Sequence, residues 1–274
     1  MTTPMRPFAV GFIGAGNMAE ALTSGILAAG RIAAGRILAS EPNPERAAAF
    51  ARATGVQTTA SNAEVADGCE TVVLAVKPQA LDAVLADVGA RLGPAALVVS
   101  IVAGATTRRI ESRLPPGARV VRTMPNTPVL VGAGVAGICA GACASASDLD
   151  AAAALFEGSA RVFRFEEASL DAVTALSGSG PAYAFYLAEG LADAAAGMGI
   201  PAGTAREMIA LVLSGAGRML ERTQDSPEAL RLRVTSPGGT TEAATKHLDA
   251  AGVKISISEA VRRAEARARE LGRT

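Results

Sequence analysis

Residues Phe8 to Ala21, FAVGFIGAGNMAEA, decide the fold. Val10, Phe12 and Ile13 lie in a short apolar run, the composition of a parallel strand buried on both faces. The run leads straight into Gly14-Ala15-Gly16-Asn17-Met18-Ala19, which fits G-x-G-x-x-A. In that pattern the first glycine permits a tight turn, the second lets backbone approach a pyrophosphate, and Ala19 allows close helix-to-sheet packing. A helix beginning at Asn17 points its first amides and the positive end of its dipole at the same phosphates. Glycine turns also occur with no ligand. The position of this one, after a strand and before a helix, makes a dinucleotide site the better reading.

The rest of the N-terminal half repeats the alternation. The first helix runs to about Ala29 and stops at Gly30; Arg36 to Ser40 reads as a second strand, broken by Glu41-Pro42-Asn43-Pro44 ahead of a helix through Phe50. Strands are expected at 56–58, 71–76, 97–102, 119–124, 135–139 and 161–165, with helices near Ala63, over 79–92 and between Ser147 and Phe156. Strand and helix in alternation require right-handed crossovers and a parallel sheet. From Glu167 onward the chain reads as helical, with segments at 182–196, 202–222, 242–250 and 256–271. The expected architecture is an α/β, doubly wound Rossmann domain over residues 1–165, followed by an all-helical domain over 166–274. The stretch from Pro181 to Arg222 is apolar around most of its circumference, more than a small helical domain can bury alone, so a partner subunit is expected to cover it.

Composition narrows the function. Lysine plus arginine balances aspartate plus glutamate at 26 each in 274 residues, which gives no footprint for nucleic acid or a membrane surface and favours small-molecule chemistry. The N-terminus carries no long apolar signal region, and no stretch of about 20 apolar residues follows, so a soluble, cytoplasmic protein is expected. Three cysteines, Cys69, Cys139 and Cys143, with the single histidine His247, provide neither a disulfide framework nor zinc-ligand spacing. They read as free thiols packed as small hydrophobes.

In a doubly wound sheet the ligand lies beyond the carboxyl ends of the strands. There the sequence places Ala75-Val76-Lys77-Pro78, with Lys77 aimed at the cofactor; Ser100 to Gly104, small enough for a flat ring to lie against backbone; and Arg122 to Pro128, where two prolines stiffen a loop around Asn126 and Thr127. Glu41 follows the second strand, where an acidic side chain accepts hydrogen bonds from the adenosine ribose and repels a 2′-phosphate, which favours NADH, whereas Ser40 and Asn43 could accept a phosphate if Glu41 points away. The helical half holds two more glycine turns, at 176–183 and 234–242. In the second, Gly238-Gly239-Thr240-Thr241 presents amides and hydroxyls at a helix start, more than capping needs and suited to a carboxylate.

GFIGAGNMA (11–19), AVKPQ (75–79), RTMPNTP (122–128), ALSGSGPAY (175–183) and SPGGTTEAA (236–244), in that order, resemble the pyrroline-5-carboxylate reductases across essentially the whole chain. The resemblance implies reduction of 1-pyrroline-5-carboxylate to L-proline by NADPH or NADH, a helical domain interlocked with a second subunit, and dimers assembled into larger rings. It implies that Ile13, Gly14, Ala15, Gly16, Asn17 and Met18 hold the pyrophosphate. Ser40, Asn62 and the turn of Ala75, Val76, Lys77 and Pro78 would contact the nucleotide, and Ala103 would lie near the nicotinamide. On the substrate side it implies Glu167, Ser236, Gly238, Gly239, Thr240 and Thr241, with the carboxylate on the turn amides and Thr241, the catalytic residue, on the ring nitrogen. Arg233 and Thr245 depart from the family pattern beside this turn. A hydroxyacid dehydrogenase of similar architecture would usually carry a catalytic lysine on the helix after the first C-terminal glycine turn, and 182–196 has none. A non-catalytic dinucleotide sensor is the remaining rival, and the intact SPGGTT turn argues against it.

Overall fold

The computed structural model describes residues 6–272. Eight strands form one sheet in the order β3-β2-β1-β4-β5-β6-β7-β8: β1 (Phe8–Ile13), β2 (Ile37–Ser40), β3 (Gln57–Thr59), β4 (Cys69–Leu74), β5 (Leu97–Ser100), β6 (Arg119–Pro125), β7 (Gly134–Ala140) and β8 (Ala160–Arg164). Between them run α1 (Asn17–Ala28), α2 (Pro44–Thr54), α3 (Asn62–Gly68), α4 (Leu81–Val88), α5 (Thr107–Glu111) and α6 (Ala146–Ala154). Successive strand residues feed two separate cores. Phe12, Val73, Val99 and Val121 pack with Leu22, Phe50 and Phe156 on one face, while Leu74, Val98 and Val120 pack with Val65, Leu85 and Ile110 on the other. Burial on both faces is why these strands read as unbroken apolar runs.

The sheet departs from the all-parallel arrangement that the alternation predicts. β7 pairs antiparallel to β6, with Thr123 opposite Ile138. The connection over 126–133 contains only the tight turn Thr127–Val131, too short for the crossover that a parallel neighbour demands. Parallel pairing resumes at β8 through α6, whose start is fixed by a reciprocal Ser145–Asp148 capping box.

After β8 come a 3₁₀ turn (Glu167–Ser169), the short helix α7 (Leu170–Val173) and a π turn (Thr174–Gly178). These residues pack against the sheet: Leu170 and Ala175 are buried, and a Cβ on Gly137 would run into Val173 and Leu170. One compact unit therefore extends to Gly178, beyond the Phe165 division read from the sequence, and also takes in the chain from Ala264. The second unit, Ser179–Arg263, is entirely helical between its turns. The C-terminal helices are α8 (Gly180–Gly197), α9 (Ala202–Arg222), α10 (Pro227–Arg233), α11 (Thr240–Ala250) and α12 (Val253–Leu271), the last of which begins in the second unit and ends in the first. The helix α10, capped by Ser226 on the Ala229 amide, is not expected from the sequence. In the single chain α8 and α9 leave large apolar side chains in solvent, among them Phe185 (65% exposed), Tyr186 (79%) and Leu211 (64%). No described helix is long and apolar enough to cross a membrane.

Candidate functional site

The strand order reverses direction at β1, which lies between β2 and β4, so the crevice of a doubly wound sheet opens at the ends of β1 and β4. Gly14 stands there at φ +98, and a Cβ on it would come within 2.8 Å of the Ala75 carbonyl oxygen. Only glycine fits both the conformation and the contact. Gly16 has ordinary extended backbone and caps α1 without any side-chain bond to the helix amides. A Cβ there would meet nothing nearer than the Arg46 guanidinium, at 3.7 Å. The first-turn amides of α1 lack intrahelical acceptors, and no side chain takes their place, which is the arrangement a pyrophosphate requires. The residues present therefore fit the dinucleotide. Ala19 is buried against the sheet, as the motif demands, and Ile13 is a core residue that offers the site only its backbone.

Beyond β2, Glu41 is only 6% exposed. Its Oε2 accepts from the Ala15 amide at 3.3 Å, its Oε1 from the Asn43 amide at 3.1 Å, and Arg46 Nη2 stands 3.4 Å from Oε2. Sequence reasoning found Glu41 but not Arg46, whose one signal was its place in the first turn of the helix after the strand. Ser40 is fully buried, with its hydroxyl donating to Asn62 Oδ1 at 2.7 Å. Asn62 in turn donates to Asp87 at 3.3 Å, so this pair shapes the wall of the crevice. Across the turn, Lys77 is exposed and starts the 3₁₀ turn Pro78–Ala80. Ala103 is also exposed, next to Gly104 at φ +75.

Glu167, expected on the substrate side, has its carboxylate engaged within the first unit. It accepts from the Thr107 amide at 2.7 Å, the Thr107 hydroxyl at 2.6 Å and Arg122 Nη1 at 3.1 Å. Arg122 is 4% exposed and also faces Asp171 at 3.6 Å. Burial opposes ionisation of Glu167, yet the bonds from Thr107 and Arg122 hold its carboxyl below the usual carboxylate range. Asn126 works similarly within the RTMPNTP loop: its amide donates to the Ser177 carbonyl and its oxygen accepts from the Val135 amide. Burial pushes the Cys69 and Cys139 thiols up to about 12, which makes both inert hydrophobes.

In the second unit the SPGGTT turn precedes α11. Gly238 takes φ +72, and its amide donates to Glu242 Oε2 at 2.9 Å, while Lys246 pairs with Oε1 at 3.2 Å. The Gly238 bond, followed by the Lys246 contact, lowers the Glu242 pKa. The Gly239 amide donates to the Ser236 carbonyl at 3.0 Å. Two of the amides expected to clamp a carboxylate are thus used within the turn, and those of Thr240 and Thr241, at the uncapped start of α11, remain without intrahelical acceptors. Ser236 and Thr240 are exposed. The Thr241 hydroxyl makes no hydrogen bond among the described residues, and the Thr241 carbonyl accepts from Thr245 Oγ1 at 3.0 Å. That bond gives the Thr245 hydroxyl a partner within the helix. Arg233 donates to Asp225 at 2.6 Å. Glu242 is the other participant that the sequence did not single out.

Two family models match the chain: pyrroline-5-carboxylate reductase dimerisation over residues 167–271, and NADP oxidoreductase, coenzyme F420-dependent, over residues 9–104. The pyrroline-5-carboxylate reductase of Pseudomonas aeruginosa is 40% identical, with 99% of this chain and 98% of that one covered. Among solved structures, a pyrroline-5-carboxylate reductase from Coxiella burnetii matches with a TM-score of 0.91 and 36% identity over 98% of this chain and all of the other. The Plasmodium falciparum pyrroline carboxylate reductase with NADP bound matches at 0.87, with 28% identity over 98% and 99% of the two chains.

Proposed function

This chain belongs to the pyrroline-5-carboxylate reductase family, and we propose from that premise which of its residues carry out the reduction of 1-pyrroline-5-carboxylate to L-proline, the last step of proline synthesis. Bound NADPH or NADH supplies the hydride. The Gly14 turn and the first amides of α1 hold the pyrophosphate, and Ala75 to Pro78 together with Ala103 line the nucleotide. Ser40 and Asn62 shape that wall through their mutual hydrogen bond. Glu167 acts as a positioning residue, since its carboxylate is already engaged by Thr107 and Arg122.

On the second unit, the amides of Thr240 and Thr241 take the substrate carboxylate, and Ser236, Gly238 and Gly239 give the turn its shape. The Thr241 hydroxyl takes the ring nitrogen. An imine that arrives protonated already has an electrophilic carbon, so the protein's task is alignment rather than acid–base chemistry. His247, in the last turn of α11, is not needed for it. The observation that supports this reading is the unused Thr241 hydroxyl beside open amides, behind two glycines that let a ligand come close.

The chain is a homo-oligomer built through its dimerisation region. We propose a dimer at least; a ring of dimers rests on the family resemblance. Unpaired cysteines, one of them exposed, suit a reducing compartment and support the cytoplasm. The deciding assay follows oxidation of NADPH and NADH with 1-pyrroline-5-carboxylate and detects proline as product. Proline formed in step with cofactor oxidation is the expected result. Oxidation with a 2-keto acid but not with the cyclic imine would overturn the proposal.

A further inference from the structure

The β2 end of the crevice contains both groups that dinucleotide sites use to tell their cofactors apart. An acid there bonds the ribose hydroxyls of NADH, whereas an arginine accommodates the 2′-phosphate of NADPH. Here the acid, Glu41, and the arginine, Arg46, are paired with each other at 3.4 Å. The pair is unequal. Glu41 is buried and pinned by the Ala15 and Asn43 amides, so it cannot swing away from an incoming phosphate. Arg46 is 59% exposed at its side chain, and one guanidinium nitrogen faces Glu41, leaving other donors of the fork for a ligand.

Two neighbouring polar side chains already have partners. The Ser40 hydroxyl is buried and donates to Asn62. The Asn43 side-chain oxygen caps α2 by accepting from the Glu45 and Arg46 amides. That cap fixes the backbone of Arg46 and places its guanidinium 3.7 Å from where a Gly16 side chain would begin, at the phosphate turn itself.

We infer that Arg46 is the residue that determines use of NADPH. Its guanidinium takes the 2′-phosphate and at the same time offsets the fixed charge of Glu41, which would otherwise repel a group carrying nearly two negative charges at neutral pH. With NADH the same carboxylate accepts from the ribose, so one pair of side chains reads both cofactors. The inference rests on the assignment of the dinucleotide to the glycine turn.

The test compares kcat/KM for NADPH and for NADH in the full-length enzyme and in Arg46→Ala, Arg46→Lys, Arg46→Ala/Glu41→Gln and Gly16→Val. Losing charge-assisted bonds to a phosphate should lower the NADPH-to-NADH ratio about 10- to 100-fold in Arg46→Ala, through the KM for NADPH. Arg46→Lys should recover part of the ratio, since the charge stays and the fork is lost. Removing the repelling carboxylate as well should recover part of it in the double variant. The affinity of 2′,5′-ADP should fall in Arg46→Ala by the same factor, a readout independent of turnover. An unchanged ratio in Arg46→Ala, or equal loss of both cofactors in that folded variant, overturns the inference. Gly16→Val separates the two levels: its extended backbone has room for a side chain, so the protein should fold but lose both cofactors. Retention of both would refute the nucleotide site itself.

Discussion

Thr241 is the residue on which turnover is expected to depend most. Its hydroxyl has no internal partner among the described residues, while the neighbouring Gly238 and Gly239 amides do. Thr241→Ala removes one hydrogen bond to a nitrogen that gains amine character during the reaction. A bond to a charged group contributes roughly 1.5–3 kcal/mol, so kcat should fall about 10- to 100-fold. Dinucleotide affinity should barely move, because the nucleotide residues belong to the first unit, and Thr241→Ser should keep much of the activity. Weakened nucleotide binding with unchanged kcat would reduce Thr241 to a helix cap. This residue was legible in the sequence because two threonines behind two glycines exceed what capping needs. Arg46 and Glu242 were not. A charged residue in a first helical turn is ordinary, and only the fold reveals that one meets Glu41 and the other reaches back to the Gly238 amide.

Among elements, the joint between α5, β6 and the turn before α7 is held by Glu167. The Glu167 carboxyl titrates below its ordinary value of 4.5 in the folded chain. A depressed folded-state pKa means stability that is present above the unfolded pKa and disappears as pH falls through the folded one. Glu167→Gln should therefore lower the Tm at pH 7, by about 1.5–3 kcal/mol of stability given the charged bonds lost. The gap from the parent should close as pH drops below 4.5, and a gap that stays constant down to pH 3 would show that the carboxylate charge is not what holds the joint. The strands themselves were plain in the sequence, since strands buried on both faces are continuous apolar runs. Strand direction was not: β7 has the same apolar character whichever way it runs, and only the shortness of its connection to β6 decides. The helix α10 escaped because it buries a single residue, Leu230, and so carries no apolar periodicity.

For the molecule as a whole, the second unit leaves many large apolar side chains exposed in the single chain, and it lies within the matched dimerisation region. Phe185→Glu together with Leu211→Glu would force charges into a dry interface, at a cost of several kcal/mol. Sedimentation should show the dimer dissociation constant raised at least about 100-fold, with activity lost in parallel. A parent protein that sediments at micromolar concentration as an active, folded monomer would contradict the assignment. The extent of the first unit was only partly legible, because contacts such as that of Asn126 with the Ser177 carbonyl, which carry it past Phe165, leave no mark on local composition. The make-up of α8 also has an optical consequence. The chain has no tryptophan and only two tyrosines, Tyr183 and Tyr186, both on this helix. Intrinsic tyrosine emission therefore comes from one helix of the associating unit and none from the sheet, so association and dissociation of subunits can be followed by light without a label, while the emission of bound reduced nicotinamide reports separately on cofactor binding.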